Sequence, residues 1–206
     1  MTHTTLLALF LTAAALRADD LRLNQVQVIG SHNSYHVVPA PAVLDLVAAT
    51  GRQRAESLDY THRPLPEQFD RGIRQIELDI YADPKGGRFA KPAARDLVKK
   101  NGKDPGPDPN AGGLLDKPGF KVLHTPDIDY ISTVPTFAAG LKQVRDWSKA
   151  HPRHVPIMVL VELKEDVVPL MPAKAVPFDK PLLDEVEAAI RAVFKAVQDG
   201  KQAAVL

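Results

Sequence analysis

The nine residues from Val155 to Leu163 constrain the fold more than any other stretch of the chain. Within them Val159-Leu160-Val161 is apolar on both faces of an extended segment. That pattern belongs to a parallel strand covered by helices on one side and a barrel interior on the other. Three more apolar, β-rich runs read as strands: Val26–Gly30, Ile73–Tyr81 and Phe120–Leu123. Helical periodicity fills two of the intervals. It runs from Thr136 to Ala150, and from Leu182 to Val197, where Leu183, Val186, Ile190 and Val193 recur at spacings of three and four. Strand and helix therefore alternate. An α/β architecture follows, with a β/α barrel of the TIM type favoured over an open sheet. The segment from Ala82 to Gly119 breaks the pattern, because Lys103 to Gly113 concentrates turn-forming residues. It reads as a long surface loop, which either shapes or covers a site or is a tolerated insertion.

Composition removes several classes of function. The 206 residues carry 26 Lys and Arg against 25 Asp and Glu, so no excess of positive charge supports binding of nucleic acid. The absence of cysteine excludes disulfides, thiolate metal sites and cysteine nucleophiles. Any metal must then be held by oxygen or imidazole ligands, which favours a hard cation such as calcium or magnesium. The apolar run Leu6–Leu16, followed by Ala18 and two acids, reads as a secretory leader spanning residues 1–18. It is too short to span a bilayer, and no later segment serves as a transmembrane anchor. A secreted or periplasmic protein is expected.

The ionisable residues cluster where the predicted strands end: His32 and Asn33 after the first, Glu77 and Asp79 within the second, His124 after the third, Glu162 and Lys164 on the fourth. In β/α barrels catalytic groups come from the C-terminal ends of strands, and four such ends supplying ionisable residues is a pattern that chance seldom produces. Glu77 and Asp79 stand two apart and so share one face of a strand. Their mutual repulsion is relieved by a shared proton or by a cation, and Asn33 and Glu162 would complete an all-oxygen calcium site. A plain amphipathic strand with a solvated acidic edge accounts for the pair equally well. His32 and His124 offer an acid and a base near neutral pH, although each alone also fits a structural histidine. Lys164 is positioned to offset phosphate charge, or is a surface lysine. No phosphate-binding glycine loop and no nucleophile elbow is present.

Gly30-Ser31-His32-Asn33-Ser34-Tyr35, Gly72 to Tyr81, Leu123-His124-Thr125 and Leu160-Val161-Glu162-Leu163-Lys164 together resemble the calcium-dependent, phosphatidylinositol-specific phospholipase C family of bacteria, within the superfamily of barrel phosphodiesterases. The resemblance spans Leu23 to about Lys164 and rests on the order and combination of the motifs. It implies a β/α barrel with Asn33, Glu77, Asp79 and Glu162 as calcium ligands and His32 and His124 as the catalytic pair. In that family an inositol hydroxyl attacks phosphorus, diacylglycerol leaves, and a cyclic inositol phosphate forms, with opening by water as an optional second step. By analogy His32 stabilises a non-bridging phosphate oxygen, His124 does the same or protonates the leaving oxygen, and Glu162 is the base. The expected partner is phospholipid at a membrane surface.

Four strands instead of the eight of a full barrel, and fewer than its roughly 250 residues, suggest that residues 19–206 are the first half of a longer barrel. Two other readings share the motifs. Glycerophosphodiester phosphodiesterases have the same barrel and paired histidines, but carry Arg where Asn33 stands here. A non-catalytic, calcium-dependent head-group binding module is the third.

Overall fold

The computed structural model describes residues 22–169 and 171–194. The expected leader at 1–18 and the chain beyond 194 lie outside these residues. After a short 3-10 turn, Leu23–Gln25, the elements run β1 (Ile29–Gly30), α1 (Pro41–Ala48), α2 (Arg52–Ser57), α3 (Leu65–Asp70), β2 (Ile73–Asp83), α4 (Ala93–Lys100), β3 (Gly119–Val122), α5 (Phe137–Ala150), β4 (Met158–Leu163) and α6 (Lys180–Phe194).

β2 is the centre of the sheet. Gln75 faces Gly30 of β1 on one side and Met158 of β4 on the other, both in parallel register. Further along, Ile80 faces Val122 of β3 and Leu163 of β4, and the β3 pairing is antiparallel. β1 and β3 thus lie end to end along one edge of β2, and β4 occupies the other. Among the described residues the sheet does not close on itself. The expectation of uniformly parallel strands fails at β3. β3 follows β2 through the segment 84–118, which holds α4, and returns along the end of β2 in the opposite direction, Asp83 facing Gly119 and Ile80 facing Val122.

The alternation read in the second run separates its two faces. Ile76, Leu78 and Ile80 are fully buried against α3 and α5, beside Phe69, Leu141 and Val144. Each contributes about 1.5–3 kcal/mol of hydrophobic burial. Thr136 caps α5 by accepting the Ala139 N–H at 3.3 Å. Gly140 lets this helix approach closely, since a Cβ there would sit 3.2 Å from Leu78 Cδ1. α6 adds Val186, Ile190 and Val193 as partly buried contacts. The opposite face carries Glu77 and Asp79, with Met158 and Leu160 of β4 alongside and still exposed, Leu160 at 54%.

Two sequence expectations need correction. The first strand shrinks to Ile29–Gly30, and Ile29 is exposed. The segment 82–119 does contain packed structure: β2 continues to Asp83, Phe89 packs on Tyr81, and α4 buries Ala94 and Val98 against Val43 of α1. Its Lys103–Gly113 portion is irregular, as its composition implies. Asp127, in the left-handed region at φ 71, holds α4 from a distance. Its side chain accepts the N–H of Ala93 and of Ala173, both at 2.8 Å, and its carbonyl accepts the N–H of Ala94.

Candidate active site and metal centre

Parallel register puts Glu77 opposite Leu160 and Asp79 opposite Glu162, so side chains of one parity from both strands rise from the same face. Glu77, Asp79 and Glu162 each bring a carboxylate oxygen within 4.8 Å of the others. Asp79 is completely buried, and neither of its oxygens has a hydrogen bond of good geometry: the nearby Tyr35 hydroxyl donates to Asn33 Oδ1, and Lys164 stands 3.6 Å from Asp79 Oδ2. The solvated-edge reading therefore does not hold for Asp79. Burial, then the charge of Glu162, pushes its pKa from 3.8 up to about 6, against the opposing pull of Lys164. Unpartnered buried carboxylate oxygens are rare and costly. An oxygen-only, multiply acidic pocket with orphaned lone pairs is the donor set that suits calcium.

Lys164 is the cation present among these acids. It follows β4, with its ammonium 3.1 Å from Glu162 Oε1 and 3.6 Å from Asp79 Oδ2. Burial lowers its pKa, but Glu162, Asp79 and Asp166 outweigh that and leave it raised. Its ammonium is the counter-charge of the carboxylates. Glu162 itself is 45% exposed.

The Ser31–Ser34 turn is fixed on β2 by two backbone bonds, Ser31 N–H to Gln75 O and Ser34 N–H to Glu77 O, both 3.1 Å. Ser34 Oγ also accepts the Glu77 N–H, and Gln68 of α3 ties the turn down by donating to Ser34 O and accepting from Ser31 Oγ. Asn33 sits at the apex with φ 47, a conformation that asparagine tolerates better than most residues. Its N–H donates to Glu77 Oε2 at 3.1 Å, its side-chain oxygen accepts from the Tyr35 hydroxyl, and its amide N–H donates to Tyr60. Burial, then the charge of Asp79, drives the Tyr35 pKa far upward, so this hydroxyl stays protonated. His32 is 75% exposed, with Nε2 3.6 Å from Glu77 Oε2. His62 donates to the His32 carbonyl at 2.8 Å.

His124 follows β3. Its Nδ1 lies 2.7 Å from Asp129 Oδ2, and its side chain is 27% exposed. The Asp129 hydrogen bond raises its pKa, with burial opposing and the Asp129 and Asp79 charges adding to the rise. Reciprocal backbone bonds between Thr125 and Asp129, both 2.9 Å, close the loop that folds Asp129 onto the imidazole. Asp129 also contacts His36, and His36 stacks on Tyr60 at 4.1 Å between ring centroids.

Tyr60 thus touches both groups, Asn33 through its hydroxyl and His36 through its ring. The structure joins Asn33, Glu77, Asp79, Glu162, Lys164 and His32 in one continuous set of contacts, and brings His124 within electrostatic range of Asp79. His36, Tyr60 and Asp129 escaped the sequence reading. The only local signals were a histidine four residues after His32 and an acid five after His124. Among the described residues no helix is long and apolar enough to cross a membrane.

The sequence model of one family, described as Phosphoinositide phospholipase C, Ca2+-dependent, matches residues 21–198. Among curated proteins there is no match. Two solved structures of a calcium-dependent phosphoinositol-specific phospholipase C from a Gram-negative bacterium, Pseudomonas sp, are similar. The apo form is 16% identical, with 66% of this chain and 36% of that chain covered and a TM-score of 0.36. The myoinositol complex is 15% identical, with 80% and 43% covered and a TM-score of 0.37. This chain spans less than half the length of either. Matched by the family model over most of its length, the chain belongs to the calcium-dependent phosphoinositide phospholipase C family.

Proposed function

We propose that the chain is part of a calcium-dependent phosphodiesterase that cleaves phosphatidylinositol to diacylglycerol and a cyclic inositol phosphate. The supporting observation is the trio Glu77, Asp79 and Glu162, with both Asp79 oxygens buried and without a hydrogen bond. With Asn33 beside them, these residues would hold the cation. When bound, calcium supplies positive charge that lowers the pKa of the attacking hydroxyl and stabilises charge developing on the phosphoryl oxygens.

The chain's own groups account for the proton movements. The inositol hydroxyl gives its proton to the partly exposed Glu162 carboxylate as its oxygen bonds to phosphorus. The bond from phosphorus to the glycerol oxygen breaks, and protonated His124 delivers the Nε2 proton to that oxygen. Asp129 keeps His124 oriented and favours its charged form. His32 is exposed and within reach of the cluster, so it is free to turn onto a non-bridging oxygen. Lys164 balances the acids and adds positive potential for the phosphate. The parallel pairing of β1 and β4 with β2, with β4 at the sheet edge, supports reading these elements as one arc of a β/α barrel, residues 19–206 being its N-terminal part. Export through a leader at 1–18, to a secreted or periplasmic location, belongs to the same reading.

Calcium titration calorimetry, paired with product analysis on phosphatidylinositol vesicles, tests this. Binding lost in Glu77→Ala and cyclic inositol phosphate formed only without chelator is the expected result. Binding without product would leave a head-group binding module, and an intact calcium affinity in Glu77→Ala would remove the metal assignment.

A further inference from the structure

The second convergent cluster is His36, Asp129 and His124, whose ligand atoms lie within 4.8 Å of one another. His36 and Asp129 are both completely inaccessible to solvent. The His36 Nδ1 points at the Tyr60 carbonyl at 3.0 Å, and its Nε2 at both Asp129 oxygens at 2.9 Å. A carbonyl oxygen and an ionised carboxylate only accept, so Nδ1 donates to Tyr60, and Nε2 donates to Asp129 when that carboxyl is ionised. Asp129 then has its second role at 2.7 Å from His124 Nδ1, which makes that nitrogen a donor as well. Lengths of 2.7–2.9 Å are those of charge-assisted hydrogen bonds, and every donor here meets an acceptor without an ion. The cluster is therefore a proton-bonded relay and not a second metal centre.

We propose that His36 is a positioning residue, whose ring donates from both nitrogens to clamp Asp129 so that Asp129 holds His124 with Nδ1 inward and Nε2 free on the accessible side. A carboxylate fixed from one side can hold its second partner in only one orientation. Without the clamp Asp129 rotates, and His124 loses both its aim and its tautomer. The Tyr60 ring stacked on His36 extends the clamp to Asn33, which Tyr60 also contacts. The inference rests on the reading of His124 as the proton-transfer group.

Ring-nitrogen NMR on protein labelled with 15N-histidine tests it without any need for turnover. His36 should show two protonated nitrogens, and neutral His124 should carry its proton on Nδ1. A bare nitrogen on His36, or His124 protonated on Nε2 in its neutral form, overturns the proposal. Two variants extend the test, His36→Phe, which keeps the stack on Tyr60 but donates nothing, and His36→Gln, which restores one amide donor toward Asp129. His36→Phe should lose the fixed His124 tautomer and on the order of a hundredfold in kcat, with KM and calcium affinity unchanged. His36→Gln should recover the tautomer and most of kcat. Equal effects in both variants, or an unchanged tautomer in His36→Phe, overturn it. A wild-type protein that turns over no phosphatidylinositol yet shows the expected nitrogen pattern would break the proposed reaction and leave the clamp standing.

Discussion

The two clusters of the site are opposites in how they treat buried polar atoms. Around His36, Asp129 and His124 each buried donor has an acceptor, whereas Asp79, equally inaccessible, has two oxygens with no donor at hydrogen-bond distance and only the Lys164 ammonium 3.6 Å from one of them. A satisfied network is rigid and already assembled, while an unsatisfied one holds free energy that a cation releases on binding. On the proposed reading, the site separates a preformed half for proton transfer from a half organised for metal.

Substitutions can break this contrast from either side. The largest effect is expected at the acids. At free calcium about 100 times Kd the native protein gains about 2.7 kcal/mol of stability. Glu77→Ala should gain none, which thermal melts with and without calcium will read. His124→Ala should retain that calcium response and lose about a hundred- to ten-thousandfold in turnover, measured on phosphatidylinositol vesicles.

The pH dependence of the calcium-free melt sharpens the contrast further. Because the Asp79 pKa is raised from 3.8 to about 6 in the fold, its neutral form is the favoured one. The associated stability is complete below 3.8 and lost as pH rises through about 6, up to about 3 kcal/mol in all. His124, raised above its ordinary 6.5, adds a loss of the same sign at higher pH. Melts between pH 4 and 7 should fall with pH without calcium and flatten with it. The smallest effect belongs to Lys164→Met, which removes a tethered competitor and should tighten calcium about two- to fivefold by calorimetry.

How much of this was legible depended on whether the cause was local. β2 and β4 were readable because alternation and a doubly apolar run leave their mark in consecutive residues, and the shared face of Glu77 and Asp79 follows from period two alone. α5 was readable because its cap, Thr136, stands next to it. α4 was not, since Pro92 at its start offers no side-chain cap and Asp127, far along the chain, supplies one. The direction of β3 and the partnership of His36 with Asp129 are likewise decided by residues brought together only in the folded chain, with no periodicity to announce them.

Asp127 carries a consequence for motion. Its bonds to Ala93, Ala94 and Ala173 fasten three distant backbone groups to the loop that bears His124 and Asp129. Displacement of Asp127 would release all of them together, so these amides are expected to exchange with deuterium with similar opening free energies. Excursions of the loop that bears His124 should then be tied to those of α4, whose first turn Asp127 holds.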